Sequence, residues 1–251
     1  MAQGDKIKVG LFGLGRTGQE VAQQLILDDE VELLWIMRSG ESSAQYEPFQ
    51  GVPVLPFSKS RIDGLMKSSG IDFIVDFSGP DTCLSYADAA ARHGVGIVSA
   101  ISAYDSIHLD KLRAASAETK VFHSPNITLG INFVMMAGKV LRRLAPHAGV
   151  EVVEEHFYGK QEVSGTAVRI AELLDLDPSK QVNSVRVGGI LGRHEIIFGF
   201  PYQTVRLMHD TISRAAFGQG ALFALKELNT RPVGFYTMEQ LVMEGFREAM
   251  A

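Results

Sequence analysis

The chain has one cysteine, Cys83, in 251 residues, so no intrachain disulfide can staple it. Its neighbours, Asp81-Thr-Cys-Leu-Ser-Tyr-Ala, read as the first turn of a helix, and the expected role of the thiol is that of a small core residue. Apolar runs of bilayer-spanning length are lacking, which argues against a helical membrane protein. Runs of basic residues are lacking too. The net charge is −5 with both signs mixed along the chain, so neither nucleic acid nor an anionic membrane is an expected partner. The opening Met-Ala-Gln-Gly-Asp-Lys has no apolar signal core, and a cytoplasmic location is the expectation. Internal repeats and low-complexity tracts are missing. His93, His108, His123, His147, His194 and His209 show no metal-ligand spacing, so no metal is expected, and His194 and His209 read as structural strand residues.

What is present is ample apolar material. The chain is 46% hydrophobic and 21% charged, enough for one large or two modest domains with buried cores. Near the start, Ile7-Lys-Val-Gly-Leu-Phe12 reads as a buried strand, followed by Gly13-Leu-Gly15-Arg16-Thr17-Gly18 and a segment with helical spacing. In a strand–turn–helix setting the first glycine permits the tight turn, the second lets a pyrophosphate approach the backbone, and the third lets helix lie on strand. The phosphates would sit on the helix N-terminus, where amides and dipole favour anions. Residues 31–37 form a second strand. An acidic residue near such a strand's end binds the ribose hydroxyls of NAD; here Arg38-Ser39-Gly40 stands instead, which suits a 2′-phosphate. NADP is therefore the expected cofactor, with NAD possible; the competing reading of Arg38 is an exposed loop residue.

Strands at 71–77, 96–100 and 120–123 alternate with helices over 82–94 and 109–118, with Asp81 and Thr82 as a cap. Such alternation predicts a doubly wound parallel α/β sheet of the Rossmann type. Ligands bind beyond the carboxyl ends of its strands, which gathers residues 13–18, Arg38, Phe77, Ser78, Ala100, Ser102, Ser124 and Asn126 around one crevice. After residue 126 the pattern changes. A long apolar helix over 130–144 is followed by alternating strands at 150–157, 185–190, 194–198 and 203–209, with a helix over 166–174 between the first two and another over 215–229 after the last. This predicts a second, α+β domain for substrate and oligomerisation over 128–216, while 1–127 and 217–251 form the dinucleotide domain.

The middle of the chain concentrates reactive groups: Glu154-Glu155-His156-Phe157-Tyr158-Gly159-Lys160, then Ser164-Gly165-Thr166-Ala167. Imidazole titrates near neutrality, and His156 is the candidate proton donor. Lys160 would bind a carboxylate or stabilise developing negative charge. Ser164, Gly165 and Thr166 would offer amides and hydroxyls at a helix N-terminus. Glu154 would orient His156 or Lys160. Each has a plainer alternative: a histidine satisfied by Glu154 or Glu155, a solvated lysine, a helix cap.

At these residues the chain resembles the dihydrodipicolinate reductase family, the second dedicated step of bacterial lysine biosynthesis. The family signature has a Glu, one residue, a His pair, two spacers, a Lys, then Asp-Ala-Pro-Ser-Gly-Thr-Ala. Glu154, His156, Lys160 and Ser164-Gly165-Thr166-Ala167 follow that order. Asp76-Phe77-Ser78, Ser124-Pro125-Asn126, Val185-Arg186-Val-Gly-Gly-Ile-Leu-Gly-Arg-His194, Ser213-Arg214 and Gly234-Phe-Tyr-Thr-Met238 also resemble family segments. The resemblance implies a homotetramer that reduces a cyclic imine or unsaturated carboxylate with a nicotinamide cofactor. The chain departs from the pattern in three places. Phe157 replaces the second histidine, residues 162–163 make the following segment one residue shorter, and Ala100-Ile101-Ser102-Ala103 replaces a Gly-Thr-Thr-Gly turn near the nicotinamide. Phe157 is thereby the altered substrate-binding position, while Ser102 alone keeps a hydroxyl in its turn. Beside the family reaction stand two alternatives: an imine reductase or amine/amino-acid dehydrogenase with a changed pocket, and a non-catalytic NADP-sensing protein.

Overall fold

A computed structural model describes residues 5–40 and 46–251. Residues 1–4, which begin the segment read as lacking a signal core, lie outside the described residues. In chain order the described elements are β1 (Ile7–Phe12), α1 (Arg16–Leu27), β2 (Val31–Arg38), β3 (Val54–Pro56), α2 (Lys59–Ser69), β4 (Phe73–Asp76), α3 (Thr82–His93), β5 (Gly96–Ser99), α4 (Ser106–Ala115), β6 (Lys120–His123), α5 (Leu129–Leu144), β7 (Gly149–His156), α6 (Gly165–Leu173), α7 (Pro178–Gln181), β8 (Val182–Arg186), β9 (Arg193–Gly199), β10 (Thr204–Asp210), α8 (Ala215–Thr230), β11 (Gly234–Tyr236) and α9 (Met238–Ala249). They divide into two compact units, one of Met1–Ile127 with Phe217–Leu241, the other of Thr128–Ala216 with Val242–Ala251. The expected dinucleotide domain ran to residue 251; the boundary instead falls inside α9.

The first unit holds a parallel seven-stranded sheet ordered β11-β6-β5-β4-β1-β2-β3. Helix-covered parallel strands are buried on both faces, which is why β4 and β5 are buried at every position. Strand order turns back at β1, between β2 and β4, the switch point where such sheets bind ligands. Glycine at position 10 makes room for the Trp35 indole, which would lie 2.1 Å from a Cβ there. Phe12 then stacks on Tyr86 at 5.0 Å and meets Trp35 edge-on at 5.4 Å. Gly94 ends α3 at φ 65°, its N–H returning to the carbonyls of Ala90 and Ala91. Asp81 precedes α3 but does not cap it; its carboxylate reaches His108 Nε2 at 3.2 Å. The thiol of Cys83 is fully buried, and burial pushes its pKa up to about 11.

The second unit holds a mixed four-stranded sheet ordered β10-β9-β7-β8, in which only β7 and β8 run parallel. Val150, Val152, Ile196 and Phe198 bury its inner face, while Thr204, Arg206, Met208 and Asp210 are exposed on the other. The strand expected over 185–190 lies earlier, at Val182–Arg186, because Gly188 takes φ 55° and turns the chain. Sequence reading also passed over β3 and α2. The first is three residues ending in proline, and α2 buries only Ile62 and Met66, so neither carries a clear period.

Candidate active site

The glycine turn of the first unit is shaped by contact. Gly13 has φ 99°, and a Cβ there would lie 2.5 Å from the Phe77 carbonyl oxygen. A Cβ on Gly18 would lie 2.4 Å from the Gly13 carbonyl oxygen. Gly15 is different: nothing stands within 4 Å of its absent Cβ, so its backbone faces open space. That space is a cleft of about 530 Å³ lined by Gly13, Gly15, Arg38, Ser39, Phe57, Phe77, Ser78 and Thr82, among others. A second cleft of about 360 Å³ is lined by Thr17, Phe77, Ser78, Gly79, Ala100, Ser102, Pro125 and others. The single expected crevice is thus two clefts sharing residues 77–79. Ser124 and Asn126 line neither; the Ser124 hydroxyl donates to the Asn126 carbonyl at 2.8 Å, and the intervening Pro125 faces the cleft. Arg16 is exposed at the first residue of α1, and buried Gly18 supports the turn without lining a cleft.

A buried carboxylate holds the shared loop. Asp76, at the end of β4, accepts from the Ser78 N–H at 2.9 Å, the Ser78 hydroxyl at 2.5 Å and the Tyr86 hydroxyl at 2.7 Å. Burial pushes its pKa up, and those donors oppose the shift. On the neighbouring loop the Tyr104 hydroxyl meets Ser99 Oγ at 2.9 Å, and His123 Nε2 meets the Ile101 carbonyl at 2.9 Å.

The second unit gathers a polar cluster on its buried sheet face. The register sets Glu154 beside Ser184 and His156 beside Arg186, and puts His194 opposite Glu154. Glu154 is wholly buried. Its Oε2 accepts from His156 Nδ1 at 2.5 Å and Arg186 Nη1 at 2.9 Å; its Oε1 accepts from Arg186 Nη2 at 2.7 Å, Ser184 Oγ at 2.6 Å and the Ser164 N–H at 3.2 Å. Burial opposes ionisation, but Arg186, Ser184, His156 and Ser164 together hold the Glu154 pKa down at about 2. The bond to Nδ1 fixes the ring of His156 and leaves Nε2 as its working nitrogen. Gly192 flanks that nitrogen, since a Cβ there would lie 3.1 Å from it. Burial lowers the His156 pKa; Glu154 opposes, and the charges of Lys160 and Arg186 add to the lowering.

His194 accompanies this pair, its ring 5.4 Å from that of His156 and nearly perpendicular. Its Nε2 lies 2.8 Å from Ser164 Oγ, and its buried Nδ1 has no hydrogen-bond partner among the described residues. Burial brings its pKa down to about 4, so it is neutral near pH 7. His194, expected to be structural, belongs to this cluster, as do Arg186 and Ser184, to which the sequence alone assigns no role. The usable signal was the alternation Glu154-x-His156 and Ser184-x-Arg186, which puts each pair on one strand face. Ser164 also differs from expectation. Its amide and hydroxyl both turn into the cluster, toward Glu154 and His194. Lys160 is half-buried on the loop after β7, and Phe157 is 40% exposed. Among the described residues no group of acidic, histidine or cysteine side chains could hold a metal, and no helix is long and apolar enough to cross a membrane.

Comparison with known proteins assigns the chain. The model for the dihydrodipicolinate reductase N-terminus matches residues 7–127, and that for the C-terminus matches residues 127–242. A 4-hydroxy-tetrahydrodipicolinate reductase of Caldanaerobacter subterraneus subsp. tengcongensis is 31% identical over 69% of this chain and 78% of the relative. Among solved structures, the dipicolinate-bound dihydrodipicolinate reductase of Paenisporosarcina sp. TG-14 shares the fold, with a TM-score of 0.75 at 19% identity over 92% of this chain and 97% of that one. GenD2 from gentamicin A biosynthesis, solved in complex with NAD, has a TM-score of 0.62 at 13% identity over 92% of this chain and 89% of that one. The chain belongs to the dihydrodipicolinate reductase family and is an NAD(P)H-dependent oxidoreductase that reduces a cyclic imine.

Proposed function

We propose that the chain reduces a dihydrodipicolinate-like cyclic imine carboxylate with NADPH as the preferred cofactor, as a cytoplasmic homotetramer. The bound dinucleotide supplies hydride. His156 delivers the balancing proton from Nε2, Lys160 binds a substrate carboxylate, and the amides at the start of α6 assist it. The observation that carries this reading is His156 held at Nδ1 by a buried, ionised Glu154, with Nε2 turned the other way and the Lys160 charge close enough to be felt. Gly13, Gly15, Thr17, Phe77, Ser78, Ala100 and Ser102 would line the dinucleotide site. Arg38 and Ser39, on the larger cleft, favour a 2′-phosphate. The exposed face of the second sheet, which carries Met208 and Val185 beside ion pairs such as Arg206–Glu195, supports self-association. NADPH oxidation measured against a panel of cyclic imines, dihydrodipicolinate included, tests the reading; no turnover of any of them would overturn it.

One observation favours a second reading, an imine or amino-acid reductase with an altered pocket. Phe157 puts an exposed ring where the family signature has an imidazole. On that reading the wild-type protein turns over dihydrodipicolinate poorly, and Phe157→His raises the rate. Turnover of wild-type protein at roughly 10⁴–10⁸ M⁻¹s⁻¹, the range of dedicated enzymes, would remove it.

A further inference from the structure

Arg186 uses every donor it has. Nη1 and Nη2 grip the two oxygens of Glu154 at 2.9 and 2.7 Å. Nη1 also meets the Val185 carbonyl at 3.0 Å, Nη2 the Glu162 carbonyl at 2.9 Å, and Nε the Lys160 carbonyl at 2.9 Å. A guanidinium has five N–H groups in a rigid fork, and each finds an acceptor here. The carboxylate in its grip is the one that holds His156. The carbonyls of Lys160 and Glu162 belong to the loop that leads to Ser164, whose amide returns to the same carboxylate. One cation therefore touches the support of the proton donor and the backbone of the anion-binding loop.

We propose that Arg186 is a positioning residue that couples these two parts: it balances the charge of Glu154 behind His156 and clamps the segment between Lys160 and Glu162 against β8. The proposal rests on the roles given to His156 and Lys160 above. The charged and titratable groups facing His156 are Glu154 on its own strand, Arg186 on β8, Lys160 on the loop and the neutral ring of His194 on β9. Removing Arg186 leaves the Glu154 carboxylate less compensated, which favours the imidazolium. A lysine in its place restores a charge but has three donors and no planar fork, so it cannot hold the carboxylate and both loop carbonyls together.

The test combines NMR titration of the His156 ring, assigned by loss of its signal in His156→Gln, with steady-state kinetics on the full-length protein. In Arg186→Met the His156 pKa should rise by about one unit, and in Arg186→Lys it should return towards the wild-type value. The KM for the cyclic imine should rise about tenfold in both, while NAD(P)H affinity stays near normal. An unmoved His156 pKa in Arg186→Met, or an unchanged KM in Arg186→Lys, would overturn the proposal. If Arg186→Met does not fold, Arg186→Lys decides alone: a raised KM supports the proposal and a wild-type KM sinks it. If the wild type reduces no cyclic imine, the functional reading fails. The NMR arm then still decides whether Arg186 sets the state of His156.

Discussion

The glycine-turn end of the first unit and the polar cluster of the second are built from different materials. The first is shaped by backbone and by missing side chains: Gly13 and Gly18 fit against carbonyls, Gly15 faces open space, and Asp76 pins the loop beyond. The second is built from side chains, with Glu154 receiving five hydrogen bonds from four residues, and Arg186 filling all its donors. A surface of amides accepts many polar side chains nearby but almost no added Cβ. A buried charge network tolerates little change in any member, because truncation leaves the others unpaired. Substitutions at the two ends should therefore fail in different ways, and that difference can be measured.

The largest effect is expected at His156. His156→Ala should lower kcat by roughly 10²–10⁴-fold, the usual worth of a general acid, and leave NADPH affinity near normal. Binding followed by cofactor fluorescence, set beside steady-state turnover, checks both halves. A loss of cofactor affinity equal to the loss of rate would break the separation of the two ends.

The glycines sharpen the comparison from the other side. Gly13→Ala should destabilise the fold by about 2–4 kcal/mol, from the left-handed backbone and the overlap with the Phe77 carbonyl, and should abolish tight cofactor binding. Gly15→Ala should leave the melting temperature near that of the wild type and still weaken NAD(P)H, since the added methyl enters only the open cleft. Thermal melts of the two variants decide the point, and equal melting temperatures would mean that contact does not shape the turn.

These differences follow what was legible in the chain. The strand, glycine turn and helix at the start were readable because each glycine sits at a fixed spacing within one local motif. Glu154, His156 and Lys160 were readable as a local cluster. Arg186, Ser184 and His194 were not, because their meeting with Glu154 depends on strand register set by tertiary folding. The inward turn of Ser164 was hidden for the same reason: its partners, Glu154 and His194, come from two strands. β3, at three residues, and α2, with only Ile62 and Met66 buried, carried too little period to be seen.

Arg38 tests whether any side chain matters much at the backbone-built end. If it binds a 2′-phosphate, Arg38→Asp should weaken NADPH more than NADH by roughly 1–3 kcal/mol, the worth of a charge-assisted contact. Titration of both cofactors into wild type and variant reads this directly. Equal weakening of the two would remove the basis for preferring NADP and leave the glycine turn as the main determinant of binding.

The smallest effect, and the finest division between the two ends, lies in pH dependence. With Nδ1 bonded to Glu154, a neutral His156 carries a lone pair on Nε2, so only the imidazolium can donate a proton there. Burial holds the His156 pKa below 6.5 in the free protein. The donor form is therefore complete at lower pH and is lost as pH rises through that depressed value. kcat/KM, which reports the free enzyme, should fall along a limb centred under 6.5. A substrate carboxylate beside the ring favours the imidazolium, so the limb in kcat should lie higher; each unit between them is about 1.4 kcal/mol of added attraction. Glu154, near 2, stays ionised throughout this window, and His194, near 4, is already neutral over most of it, so neither produces the limb. NADH affinity measured over the same range should stay flat, because no side chain of the glycine turn proposed to carry it titrates there. Coincident limbs in kcat and kcat/KM at or above the ordinary histidine value would mean that the proton comes from another group, and the role given to His156 would then be wrong.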